Sequence, residues 1–155
     1  MLPADRPAVR VTSLLLAEQA EGLASADTLL LDHEQRRFAR GVFKTLRGVS
    51  VDIALSQGQR LRSGDVLVLE DGGMSEVVAK PEQLLEARAA DPSSLARLAW
   101  LLGDHHIPVE IHERRLRLQR SDIARAMLEP LGARLTDIEA PFAPEGGAYE
   151  GHSHP

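Results

Sequence analysis

The feature that most constrains this chain is a change of rhythm at Lys80-Pro81. Before it, apolar residues recur at every second position in short runs cut by glycine. After it, two helical spacings are interleaved with strand-like runs. Pro81 has no N–H and biases Lys80 away from helix, so the dipeptide predicts a boundary between two units. A chain of 155 residues has room for two small domains. Each must then build its core mostly from Leu, Val, Ile and Ala, because only 3% of the residues are aromatic.

Residues 1–79 read as an all-β domain. Val9 and Val11 alternate with polar residues and lead into Leu14-Leu15-Leu16, and Leu29-Leu30-Leu31 stops at Asp32. Phe38, Val42 and Leu46 share parity across a charged stretch. Val49, Val51, Ile53 and Leu55 alternate strictly with Ser50, Asp52 and Ala54, the cleanest period-two pattern in the chain. Runs at Val66 to Leu69 and Val77 to Ala79 complete the set. Glycine punctuation every ten residues or so suggests a small antiparallel sandwich or barrel. The charged run Asp32 to Arg37, including His33, reads as a solvated edge.

Residues 80–140 read differently. Leu84, Leu85 and Ala87 predict a strand. Asp91-Pro92 is a helix start, with an N-cap acceptor followed by proline at the first helical position. Leu95, Leu98, Ala99 and Leu102 follow at helical spacing, and Gly103 stands where a left-handed cap is expected. Val109 and Ile111, then Leu116 and Leu118, alternate with polar residues as a hairpin. Ser121 caps a second helix with Ile123, Met127 and Leu131 on its apolar stripe, and Pro130 is expected to kink or end it. Leu135 and Ile138 mark a last strand. The order strand, helix, strand, strand, helix, strand is that of a ferredoxin-like βαββαβ unit, which makes the fold class α+β. Residues 141–155 hold three prolines, three glycines and few apolar residues, and are expected to form a flexible tail.

A net charge of −5 argues against a nucleic-acid partner, which needs a basic face. No apolar run approaches the roughly 20 residues that a membrane helix requires. With no cysteine there is neither a disulfide nor a thiolate metal site. The expected location is the cytoplasm.

Three of the six histidines and two carboxylates fall within Gly103-Asp104-His105-His106-Ile107-Pro108-Val109-Glu110-Ile111-His112. His106 follows a helix C-terminus, whose partial negative charge favours a cation. Imidazole suits Ni(II), Cu(II) and Zn(II) alike. The alternative is a pair of surface histidines capping carbonyls of the preceding helix. His112 sits on the polar parity of its strand, where a solvated histidine is the simpler reading. His152 and His154 could capture metal weakly or be an incidental polar end. A small metal-dependent enzyme would combine His105 and His106 with Asp104 or Glu110, but adjacent side chains of an extended segment diverge. No serine elbow, phosphate loop or His-Glu-x-x-His helix is present. Neither a catalytic residue nor a cofactor-binding residue is expected, so the chain is read as not an enzyme.

Leu101-Leu102-Gly103-Asp104-His105-His106-Ile107-Pro108-Val109-Glu110-Ile111 resembles the Leu-Gly-Asn-Arg-His-x-Pro-x-x-Ile pattern of the UreE family of urease accessory proteins, the nickel metallochaperones. Leu116-Arg117-Leu118, Met127-Leu128, Leu131-Gly132-Ala133 and the long stretch Glu139 to Tyr149 fit as well. Leu31 to Arg37 and Arg62 to Leu67 look like the family's N-terminal domain. The resemblance implies a β domain that binds a partner or peptide, joined to a ferredoxin-like metal-binding domain, in a homodimer. It implies that His106 from two chains holds one Ni(II), with His105, His112, His152 and His154 as further candidate ligands. It implies transfer to the urease accessory GTPase and through it to apo-urease. A metal-independent interaction module of the same maturation complex is the second reading. Asp104 and His105 depart from the family's Asn and Arg. No histidine lies between Arg117 and Asp122.

Overall fold

A computed structural model describes residues 6–56 and 59–147. The chain divides into two compact units, one reaching to Ala79 and one beginning at Lys80.

The first unit contains β1 (Val9–Leu15), β2 (Asp27–Leu31), α1 (His33–Arg37), β3 (Arg40–Lys44), β4 (Ser50–Ala54), β5 (Val66–Leu69) and β6 (Met74–Ala79). The strands lie in the order β2-β6-β5-β1-β4-β3. The alternation expected around Val49 to Leu55 is realised in β4, where Val51 and Ile53 are buried and Ala54 is exposed. They meet Leu29, Leu31, Leu61, Leu67, Leu69 and Val77 in one core. Each such Leu or Ile contributes about 1.5–3 kcal/mol by leaving water.

Two expectations change here. The sheet is mixed rather than antiparallel, because β1 pairs parallel with β4 and β2 parallel with β6. Both pairs are far apart in sequence, which leaves room for the crossover that a parallel pair needs. The run read as a solvated edge is a helix. Asp32 accepts from the Gln35 N–H at 2.8 Å, and the Gln35 side chain accepts from the Asp32 N–H at 2.9 Å. That reciprocal capping box starts α1.

The second unit contains β7 (Pro81–Arg88), α2 (Pro92–Asp104), β8 (Glu110–Ile111), β9 (Leu116–Gln119), α3 (Asp122–Leu128), a 3-10 turn (Glu129–Leu131) and β10 (Arg134–Pro141). Its sheet order, β10-β7-β9-β8 with antiparallel neighbours, is the ferredoxin-like arrangement. Asp91 and Ser121 cap their helices as expected, accepting from Ser94 N–H and Ala124 N–H. Leu95, Leu98 and Leu102 of α2 pack with Leu85, Ala87, Leu116, Leu118 and Leu128.

The expected flexible tail from residue 141 begins as structure instead. Pro141 completes the β10 ladder opposite Pro81. Phe142 is fully buried. The Ala143 N–H donates to Glu110 Oε2 at 3.0 Å, and the Glu145 N–H donates to the Val109 carbonyl at 2.8 Å. A single large apolar side chain, set among prolines and glycines, pins the segment down.

Candidate metal centre

The C-terminal end of α2 positions the histidine pair. Helix C-termini leave carbonyls without intrahelical donors, and a left-handed residue lets the returning chain satisfy them. Gly103 was expected to be that residue. It lies inside α2 instead, and the left-handed position is His106, at φ 57°. The His106 N–H donates to the Gly103 carbonyl at 3.0 Å, and the Ile107 N–H donates to the Leu102 carbonyl at 2.9 Å. This bond pair is a Schellman motif. Its usual apolar clamp is present too: Ile107 packs against the core cluster that includes Leu102. The clamp, not the glycine, decides where the helix ends. Leu102 faces the core, so the residue five places later turns back onto it, and the position between must be left-handed.

His106 is the one non-glycine residue with positive φ among those described. Such backbone costs an ordinary L-residue about 1–2 kcal/mol, although histidine is enriched there. Gly103, Asp104, His105 and His106 are all exposed. The His105 N–H reaches the carbonyls of Leu101 and Gly103, so His105 is the C-cap. Both imidazoles therefore stand at the negative end of a 13-residue helix that has no basic residue in its last turn. The single tryptophan, Trp100, is 70% exposed on the same helix.

His112 sits just beyond β8 rather than on a solvated strand. Its N–H donates to the Arg115 carbonyl, closing the hairpin turn. Its Nε2 lies 2.7 Å from Glu110 Oε1. With Nε2–H donated to Glu110, Nδ1 would be the nitrogen left for a metal. The sequence reading missed Glu110 as a positioning group. The signal was there, because residues i and i+2 of a strand share a face.

Glu110 also stands opposite Arg117 on β9, which stands opposite Glu86 on β7. Partial burial pushes the Glu86 carboxyl up. Hydrogen bonds from Arg88 and Arg117 and the charge of Arg115 outweigh it, holding Glu86 below its ordinary value.

Among the described residues no three or more His, Asp or Glu side chains converge to hold a metal ion. His105 and His106 are not joined by Glu110, whose two oxygens are taken by His112 and the Ala143 N–H. His152 and His154 lie outside the described residues. The described residues of one chain thus offer exposed imidazoles at a helix end, a donor type that suits nickel, copper and zinc.

Residues 11–80 match the N-terminal domain model of the UreE urease accessory protein, and residues 82–155 match its C-terminal domain model. The UreE urease accessory protein of Bradyrhizobium sp. (strain BTAi1 / ATCC BAA-1182) is 50% identical over 131 residues, covering 84% of this chain and 64% of the relative. That of Chelativorans sp. (strain BNC1) is 46% identical over 128 residues, covering 83% and 81%. That of Ruegeria sp. (strain TM1040) is 44% identical over 129 residues, covering 83% and 72%. The chain spans less than two thirds of the length of its Bradyrhizobium relatives. Two family models in their expected order, over both units, show that the chain belongs to the UreE family of urease accessory proteins.

Proposed function

We propose that the protein carries Ni(II) as cargo for urease maturation, bound through His106 of two chains across a homodimer axis. The observation that carries this reading is the left-handed cap at His106. The histidine of the family motif stands there, the backbone is held by a Schellman motif, and the side chain is exposed at a negative helix end. A two-fold axis doubles each ligand without lengthening the chain. Exposed Trp100 on the same helix offers apolar area for that pairing. His105, His112, His152 and His154 are further candidate ligands, and Zn(II) or Cu(II) would compete for the same imidazoles. A site of few, exposed ligands releases its ion readily.

The recipient is the urease accessory GTPase and, through the maturation complex, apo-urease. The first unit, residues 1–79, takes the partner-binding role, and residues 80–140 carry the metal site. The compartment implied is the cytoplasm. No helix among the described residues is long and apolar enough to cross a membrane.

The test is calorimetric nickel titration beside light scattering, on the full chain and on His106→Ala. A tight phase saturating at about one nickel per two chains, lost in the variant, is the expected result. A tight phase of one nickel per chain on a monomer would overturn the two-fold site. An unchanged curve in His106→Ala would overturn the assignment of His106, and no tight phase in the unaltered chain would leave the metal-independent module as the better reading.

A further inference from the structure

We propose that the outer face of β3 docks an extended segment of another protein in which acidic and aliphatic residues alternate along one face, at every second position. This rests on reading the first unit as the partner-binding one and names the partner's chemistry. Among the described residues β3 lies at one end of the strand order, with β4 as its neighbour in the sheet. An edge strand leaves one row of backbone N–H and C=O groups open to a further strand.

The side chains along this edge break the usual inside-outside rule. Ala39 and Thr45 are buried and Phe43 half-buried, so the odd positions face inward. The even positions Phe38, Arg40, Val42, Lys44 and Leu46 are all exposed. Phe38, Val42 and Leu46 are 62%, 61% and 67% exposed. Large apolar residues alternating with cations on an outward row are a pattern for contact rather than for water. The row ends where the Leu46 N–H donates to the Thr28 carbonyl.

Charge selects the occupant. Residues 35–51 contain five of the chain's 18 basic residues and none of its 23 acidic ones. Arg36 is buried, but Arg37, Arg40, Lys44 and Arg47 are exposed. Among the described residues Arg37, Arg40 and Lys44 form no ion pair, and the Arg37 guanidinium lies 5.1 Å from the centre of the Phe38 ring. The carboxylates beside the row are Asp52, opposite Val42 on β4, and Asp27 at its far end, where Asp27 Oδ1 accepts from the Arg47 N–H at 3.2 Å. A second copy of β3 would set like charges against each other, which disfavours self-pairing. An added strand with Glu or Asp across from Arg40 and Lys44, and aliphatics across from the apolar positions, would satisfy backbone and side chains together.

The test uses the full chain and a labelled, end-blocked peptide of the pattern Glu-x-Leu-x-Glu-x-Val, with serine or threonine at x so that glutamate and aliphatic residues alternate along one face, read by fluorescence anisotropy. Comparison peptides replace glutamate with lysine, or cluster the glutamates at one end. Wild type should bind the alternating acidic peptide best. Combining Arg40→Glu with Lys44→Glu should weaken that binding about tenfold or more and confer binding of the lysine peptide. Val42→Asp, at an outward position, should weaken the acidic peptide without reversing the preference. Nickel titration should be unchanged in all of them, which separates failure here from failure of the nickel reading. Equal binding of all three peptides, no binding, or unchanged affinity in the variants would overturn the proposal. So would tighter binding to phosphatidylserine vesicles than to the peptide, which would make the row a membrane face.

Discussion

Two helix ends in the second unit meet the same geometric demand with different residues. After α3 and its 3-10 turn the left-handed residue is Gly132, at φ 81°. After α2 it is His106, at φ 57°. Glycine adopts that backbone without strain, and a Cβ on Gly132 would meet open space. The second cap needs no further help: Leu131 beside it is 57% exposed. The first cap carries a side chain that the backbone disfavours, and it is braced by Leu102 and Ile107 in the core. The difference teaches that stability alone would place glycine at both ends. Where a helix end carries an exposed imidazole instead, packing has been arranged to hold it.

The largest effect expected is on metal. His106→Gly keeps or eases the backbone but removes the imidazole, so the tight nickel phase should vanish from a titration while the circular dichroism spectrum is unchanged. Retention of that phase would break the comparison at its functional side. Next is the brace. Leu102→Ala deletes a fully buried side chain beneath the cap and should cost about 2–5 kcal/mol in denaturant unfolding. A loss well under that would mean that something other than this clamp fixes the cap.

The two left-handed positions should then respond with opposite signs. Gly132→Ala should destabilise by about 1–2 kcal/mol through backbone strain alone. His106→Gly should stabilise by about 0.5–1 kcal/mol, the relief of strain less the added freedom of glycine in the unfolded chain. Equal signs would show that the caps are not equivalent sites.

The smallest effect is on pH, in the sheet both helices pack against. The Glu86 carboxyl is lower in the folded chain than its free value of 4.5. The unfolded chain therefore binds the proton first. The contribution from Glu86 is present above about pH 4.5 and disappears as pH falls through the lowered folded value. Glu86→Gln should be less stable than wild type at pH 7, and the gap should close on acidification.

Much of this was legible because local chemistry and packing agree. Asp91-Pro92 and the spacing of Leu95, Leu98 and Leu102 give α2, and the alternation at Val51 and Ile53 gives β4. The misreadings occurred where residue type pointed away from the contact that decides. Gly103 looked like the cap because glycine commonly is, but the cap is set by where Ile107 can return to Leu102. Asp32 to Arg37 looked like surface charge because its capping box was hidden among ionised neighbours. The stretch after Pro141 looked tail-like because composition averages out Phe142. The site was legible as a motif but not as a geometry. No sequence pattern announced a left-handed histidine.

The bond between the Glu145 N–H and the Val109 carbonyl works as a mooring point. His152 is seven residues beyond it in the sequence, so its Cα can lie no further than roughly 25 Å from that point, whatever path the chain takes. If His152 ligates the cargo ion proposed above, this length of chain sets its effective concentration at the site, in the millimolar range for so short a connection. Moving the mooring would alter that effective concentration, even with every histidine left in place.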